Sequence, residues 1–337
     1  MLVIIFSLLH VIYFGSATKD AEYTYKISMV SSHDNPGQPA LFSHGESPVW
    51  DPDAQILYFV DVHQQNVHQL DYHSGKIYTK HIGYGQVNVV SLVADCRRLL
   101  VAVRSALYLL DWDVEGDAAI RLITTVDQGM PENVINEGKP DAHGRFWAGT
   151  KGPQTGDDVL PDKATLYRIE QGSEPYAAVR PVSISNGLVW SNNNTILYYI
   201  DSLKQTIDAF DYDSNKGELT ARRTIFDVSS YGYDDAIPDG MTIDSEGHLW
   251  VALMFGGAVL HINPDTRHLV YGYKLPVSRV TSVAWGGPNL DELFVTTGQD
   301  KMNLKLEPLS GAIFTIRDTG SRGVAPHAFK FDNAEAY

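Results

Sequence analysis

A single cysteine, Cys96, stands in 337 residues, so no disulfide forms within the chain. It lies in Ala94-Asp95-Cys96-Arg97, a turn-like stretch, and reads as inert. Positive charge is also short: 26 Lys and Arg face 41 Asp and Glu, for a formal charge of −15. That balance argues against nucleic acid or an anionic membrane surface as partner, because both need basic patches. No Gly-rich loop is spaced to cradle a phosphate, and no serine occupies a nucleophile elbow. The 12 histidines form no HExxH pair, and His63, His68 and His73 fall on a strand–turn–strand segment without ligand spacing. Helical periodicity of apolar residues is missing throughout.

Long hydrophobic runs are absent but for one, Leu2–Phe14, which precedes Gly15-Ser16-Ala17. It reads as a secretory core with cleavage after Ala17, and it is too short to favour a spanning anchor. Residues 1–17 are therefore expected to be a signal peptide and 18–337 a secreted chain, cytoplasmic if the leader is not used. Asn193-Asn194-Thr195 is a glycosylation sequon on a predicted turn.

What the chain has in quantity is short β-rich segments between polar turns. Strands leaving a turn are predicted at Ile56–Val62, Leu99–Val103, Arg145–Thr150, Ile196–Ser202, His248–Met254 and Glu292–Thr297. Each is followed by a third strand carrying an aromatic or apolar stripe, such as VHQLDY to Tyr72 or IDAFDY to Tyr212. Turn corners fall at positions 51, 95, 141, 191, 244 and 287. That period is the signature of four-stranded antiparallel propeller blades. The expectation is an all-β, single-domain, six-bladed propeller in which the strand within Glu22–Val30 completes the last blade. Closure of that kind removes two exposed sheet edges. Trp50, Trp147, Trp190, Trp250 and Trp285 are predicted core, and Gly320–Tyr337 a polar surface tail.

In a propeller the first strand of each blade lines the central channel. The residue five before each corner then recurs at one height: Glu46, Val90, Asn136, Asn186, Asp239 and Ser282. Carboxylates and amides converging on a channel are costly unless something satisfies them. One divalent cation would do so. All-oxygen donors favour Ca²⁺, Mg²⁺ or Mn²⁺ over Zn²⁺. Spacing alone leaves open a water-filled channel whose groups hydrogen-bond one another. Asp211-Tyr212-Asp213-Ser214-Asn215 begins like a calcium loop, but Lys216 and Arg222 stand where Gly and Glu are needed, so it reads as a hairpin turn.

Several motifs carry a family likeness: Gly45-Glu46-Ser47-Pro48-Val49-Trp50, Ser185–Ser191 (SNGLVWS), Tyr198–Tyr212, Ile237–Asp244 (IPDGMTID), Thr281-Ser282 with Gly286-Gly287, and Gly311–Phe314. From Gly45 to about Pro326 the chain resembles the regucalcin family, which includes senescence marker proteins, gluconolactonases and luciferin-regenerating enzymes. The resemblance implies a single divalent metal held by Glu46, Asn186 and Asp239. It also implies substrate contacts from an Arg-x-Asn-Asp-Gly-Lys motif, which here reads Val134-Ile135-Asn136-Glu137-Gly138-Lys139. Asn136 is retained, but the arginine position is Val134, and a family carboxylate after Ala-Gly-Thr is Gln154. A valine donates no hydrogen bond, so the sugar end of the site is altered while the metal end is intact.

The expected activity is hydrolysis of a small lactone or ester by a monomer, with the cation polarising the carbonyl and Asp239 as general base. Asn136 would position substrate, with Glu137 and Lys139 as supports. The rival readings are a secreted metal-containing binder of a small ligand without chemistry, and a calcium buffer.

Overall fold

A computed structural model describes residues 25–31, 37–94 and 97–331. The leader, Asp95 and Cys96, and the last six residues lie outside the described residues. Six four-stranded antiparallel sheets follow one another in chain order, each starting with its innermost strand. Those inner strands are Gly45–Asp51, Val87–Leu92, Val134–Pro140, Ser185–Trp190, Ile237–Ile243 and Val280–Gly286. Helical structure among the described residues is limited to three short 3-10 turns, Gly116–Ala119, Ser202–Lys204 and Ser229–Tyr231. Among the described residues no helix is long and apolar enough to cross a membrane.

The ring closes as the sequence predicts. Lys26–Met29 pairs antiparallel with Phe314–Arg317 as the outermost strand of the sixth blade. Ser28 Oγ and Thr315 Oγ1 reinforce this pairing at 2.7 Å. The strand order of the sixth sheet thus joins the two ends of the chain, and a cut there would cost the whole ring its closure.

Blades pack face to face through apolar side chains that alternate along each strand. Between the fourth and fifth blades, Tyr198, Ile200 and Ile207 meet Met241, Leu249 and Val251 in one buried cluster. The tryptophans are core: Trp147 and Trp250 are fully buried, and Trp50 is nearly so. Two of them also tie down turn corners. Asp141 accepts the Trp147 indole N–H at 3.1 Å, and Asp244 accepts that of Trp250 at 2.9 Å.

At one point every inner strand slips in register against its neighbour. The slips fall between Glu46 and Val49, Val87 and Val89, Ile135 and Glu137, Ser185 and Leu188, Pro238 and Met241, and Val280 and Ser282. A bulge leaves a residue unpaired and re-aims its side chain. Here it turns one residue per blade away from the blade-to-blade packing and into the channel. Glycine lets the inner strands converge there. A Cβ on Gly187 would come within 2.6 Å of the Met241 Cβ, and one on Gly240 within 2.7 Å of the Ser282 Cα.

The C-terminal segment differs from the polar surface tail expected of it. Residues 320–331 form a strap across the channel end remote from the bulges. Its Arg322 carbonyl accepts the Ser245 N–H, and its Gly323 N–H donates to Leu290. Farther along, Phe329 exchanges backbone hydrogen bonds with Leu92 and Ala94. The physical reason is Phe329 and Phe331, both buried against the core shared by blades two and three. Phe329→Ala should therefore cost about 3–5 kcal/mol, the usual loss for a fully buried phenylalanine. Urea unfolding checks this; a loss under about 1 kcal/mol would show the strap to be loosely held.

Candidate active site

The six residues at the slips are Glu46, Asn88, Asn136, Asn186, Asp239 and Thr281; the last five fall within their slips, whereas Glu46 pairs with Val60 just before its own. Two of these correct the expectation from turn counting. In the second blade the inner strand ends at Leu92 and Val93 already bridges to Phe329, so the corner comes before Asp95 and the channel residue is Asn88, not Val90. In the sixth blade it is Thr281, not Ser282. Val90 and Ser282 line a separate cavity nearer the strap. A lone amide inside the apolar run Val87–Leu92 was the available signal for Asn88.

Three of the six side chains donate directly to a carbonyl of the next blade, and a fourth reaches one through a serine. Asn88 Nδ2 donates to the Ile135 carbonyl at 2.6 Å, and Asn136 Nδ2 to the Ser185 carbonyl at 3.0 Å. Asn186 Nδ2 donates to Ser202 Oγ at 3.0 Å, which passes the link to the Pro238 carbonyl at 2.8 Å. Thr281 Oγ1 donates to the Gly45 carbonyl at 2.6 Å. In each case the acceptor is the residue just before the next blade's bulge. Glu46 and Asp239 break the circle, because an ionised carboxylate has no proton to donate. Blade one reaches blade two instead through Ser47 Oγ, which meets the Val90 backbone.

This circle orients the amides. With each NH₂ group turned to the next blade, the carbonyl oxygens of Asn88, Asn136 and Asn186 are left toward the channel. The Asn88 Oδ1 is buried and has no hydrogen-bond partner. Glu46, Asn88, Asn136, Asn186 and Asp239 all line one cavity of about 170 Å³ at the channel mouth. Two carboxylates and three amide oxygens form a donor set suited to a hard divalent cation.

Electrostatics point the same way. Burial, and then repulsion from Asp239 and Glu137, pushes the Glu46 carboxyl well above the usual range. Burial, and then Glu137, raises Asp239 likewise, against hydrogen bonds from Asn186 and the Gly240 N–H. Glu137 lies deeper, where it lines the second cavity with Lys139 and accepts the Gly138 N–H at 2.8 Å. The Lys139 ammonium donates to the Met241 carbonyl. Both thus support the ring from behind.

Val134 does not line the mouth cavity; Lys151, directly opposite it on the next strand, does. Gln154 lines it from an exposed two-stranded hairpin, Gln154–Thr155 with Asp158–Val159, and donates to the Gly156 carbonyl at 2.8 Å. This hairpin reaches over the mouth, where Asp157 pairs with Arg279 at 3.0 Å. Arg279 also stacks over Phe255 at 5.0 Å. His44 and His63 complete the wall. Burial lowers the His44 pKa to about 3, so this ring is neutral.

Sequence spacing missed a second grouping. Asp244, His248 and His261 bring one ligand atom each within 4.8 Å of one another. Their atoms are used, however. His248 Nδ1 meets His261 Nε2 at 2.8 Å, His248 Nε2 meets Asn263 at 2.9 Å, and Asp244 Oδ2 holds Trp250. The third blade has the same frame with Arg145 in place of the histidine: Asp141 accepts Arg145 Nε at 2.7 Å and the Trp147 indole. Arginine is no metal ligand, so the shared role is to brace the corner.

The chain matches the model of the SMP-30/gluconolactonase/LRE-like region over residues 44–299. It is 37% identical to regucalcin of Xenopus laevis over 289 residues, which cover 85% of this chain and 94% of that protein. Human regucalcin is 36% identical over 292 residues, with the same coverage. Among solved structures, a luciferin-regenerating enzyme superposes with a TM-score of 0.81 at 31% identity, covering 86% of this chain and 96% of that one. A calcium-binding regucalcin from Agrobacterium tumefaciens gives 0.78 at 22% identity, covering 87% and 95%, a likeness of fold.

A carboxyl with a raised pKa binds its proton more tightly in the folded state. Its favourable contribution is present at low pH and lost as pH rises through the folded value. In chelator, Asp239→Asn should then stabilise the fold by about 1–3 kcal/mol at pH about 8, with a smaller gain near pH 6. Urea unfolding at both pH values is the check, and a variant less stable than wild type at the higher pH would contradict it.

Proposed function

The chain belongs to the SMP-30/gluconolactonase/LRE-like family, and on that premise we propose that it is a metal-dependent hydrolase that opens a small lactone or related ester with water. The observation that carries this reading is the ring of residues at the slips, which brings oxygens from five blades to one small cavity and leaves the Asn88 Oδ1 without a partner among the described residues. Glu46, Asn186 and Asp239 would hold the cation, with Ca²⁺ favoured and Mn²⁺, Mg²⁺ or Zn²⁺ as alternatives. When bound, such an ion polarises a substrate carbonyl and eases ionisation of water.

The chain's own residues do the rest. Asp239 takes the proton of the attacking water, because its carboxylate lines the cavity and has a second oxygen to accept it. As the water oxygen bonds to the carbonyl carbon, the acyl C–O bond of the ring breaks. The proton then passes to the departing alkoxide, giving a hydroxy acid. Asn136 positions the substrate, since its amide is locked by Ser185 and its oxygen faces the cavity. The hairpin at the mouth adds Gln154, Gly156, Asp157 and Val159 to the cavity wall. An extracellular location is proposed from the apolar leader Leu2–Phe14 alone.

The test combines chelation with a panel of lactones and aryl esters, assayed after return of Ca²⁺, Mn²⁺ or Zn²⁺. Turnover should vanish in chelator and return with one ion. Asp239→Ala should lower it by at least about 10²–10⁴-fold, the scale of general-base catalysis. Full activity in that variant would end the assignment. Ligand-induced rises in melting temperature without hydrolysis would favour a binding protein instead.

A further inference from the structure

Two cations line the mouth cavity, and they differ in what holds them. Arg279 is committed to Asp157 and to the face of Phe255. Lys151 is not: its ammonium takes no hydrogen bond or ion pair with any described residue. It is the last residue of Phe146–Lys151, where the strand reaches the mouth, and is half-buried. Asp239 and Glu46 attract it across the cavity, close enough to register but without contact. An ammonium partly withdrawn from solvent at a cavity wall, with no partner, is placed to take a ligand.

The charge balance identifies the ligand. Metal ligands are deprotonated when an ion is bound. Glu46, Asp239 and Glu137 are then opposed by Lys139, Lys151 and the two charges of the ion, which leaves the site with an excess of positive charge. The ring oxygens and the reacting carbonyl are served by the ion end of the cavity, so the unspent charge lies at Lys151. Directly opposite stands Val134, on the same face of the strand pair. Like charges in that relation destabilise a sheet, so the pair has room for a single cation, and in this chain it is Lys151.

We propose that Lys151 is the specificity-determining residue of this site, and that it selects a lactone bearing a carboxylate away from the reacting carbonyl. The proposal rests on the hydrolase reading of the same cavity. It assigns the residue a role in binding rather than in bond breaking, so its signature is in KM more than in kcat.

The test uses the full-length mature protein with a matched pair of substrates. One is glucarolactone, which carries a free carboxylate, and the other is neutral gluconolactone. The wild type should prefer the charged lactone in kcat/KM, and Lys151→Met should lower that preference by about tenfold, the size of one charge-assisted hydrogen bond. The change should fall in KM, and Lys151→Arg should restore most of it. A second arm needs no turnover: glucarate should raise the melting temperature of the wild type more than gluconate does, and Lys151→Met should lose the difference. An unchanged substrate preference in Lys151→Met, or the same glucarate shift in variant and wild type, overturns the proposal. Melting shifts that depend on Lys151 without any lactone turnover would uphold it while rejecting the hydrolase.

Discussion

Everything at this site depends on one repeated backbone event, the register slip in each inner strand. Without it, the side chain at the slip would stay in the blade-to-blade packing, as its neighbours do. With it, each blade sends one polar residue into the channel; three of these bind the backbone of the next blade just ahead of its own slip, and Asn186 does so through Ser202. The hydrogen bonds that seal the ring are thus the ones that aim the site. Sealing and function share residues.

The two members that cannot take part are Glu46 and Asp239. As carboxylates they have no proton to pass on, and as buried groups they repel each other. Natural cores avoid such pairs unless a cation offsets them. The sequence therefore spends stability at the two points where the circle is broken. An oxygen-rich cavity with an orphaned Asn88 carbonyl lies between them. The other channel end is treated differently. There a cavity of about 370 Å³ is walled by tryptophans and closed by the strap at Val324–His327. Access is left to the mouth, where the Asp157–Arg279 pair joins blade three to blade six.

Much of this was legible before any coordinates. The blade count followed from strand spacing because each blade is one local unit, and the N-terminal strand had nowhere else to pair. Glu46, Asn186 and Asp239 emerged from turn counting because Asp51, Ser191 and Asp244 make corners with recognisable turn chemistry. The same count failed in the second blade, where the inner strand ends at Leu92 and counting back from Asp95 lands two residues late, and so Asn88 was passed over. Lys151 was invisible for another reason. Its importance comes from the residue across the ladder and from the partner it lacks, and neither is a property of local sequence. The strap shows the limit of composition: a polar stretch is anchored by two phenylalanines, and average polarity says nothing about where they go.

The most direct test of the central claim is the anomalous scattering of crystals grown with Mn²⁺. One peak should lie within bonding distance of Glu46, Asn186 and Asp239, at the mouth end of the channel. A peak instead among Asp244, His248 and His261, or none in the channel, would contradict the account.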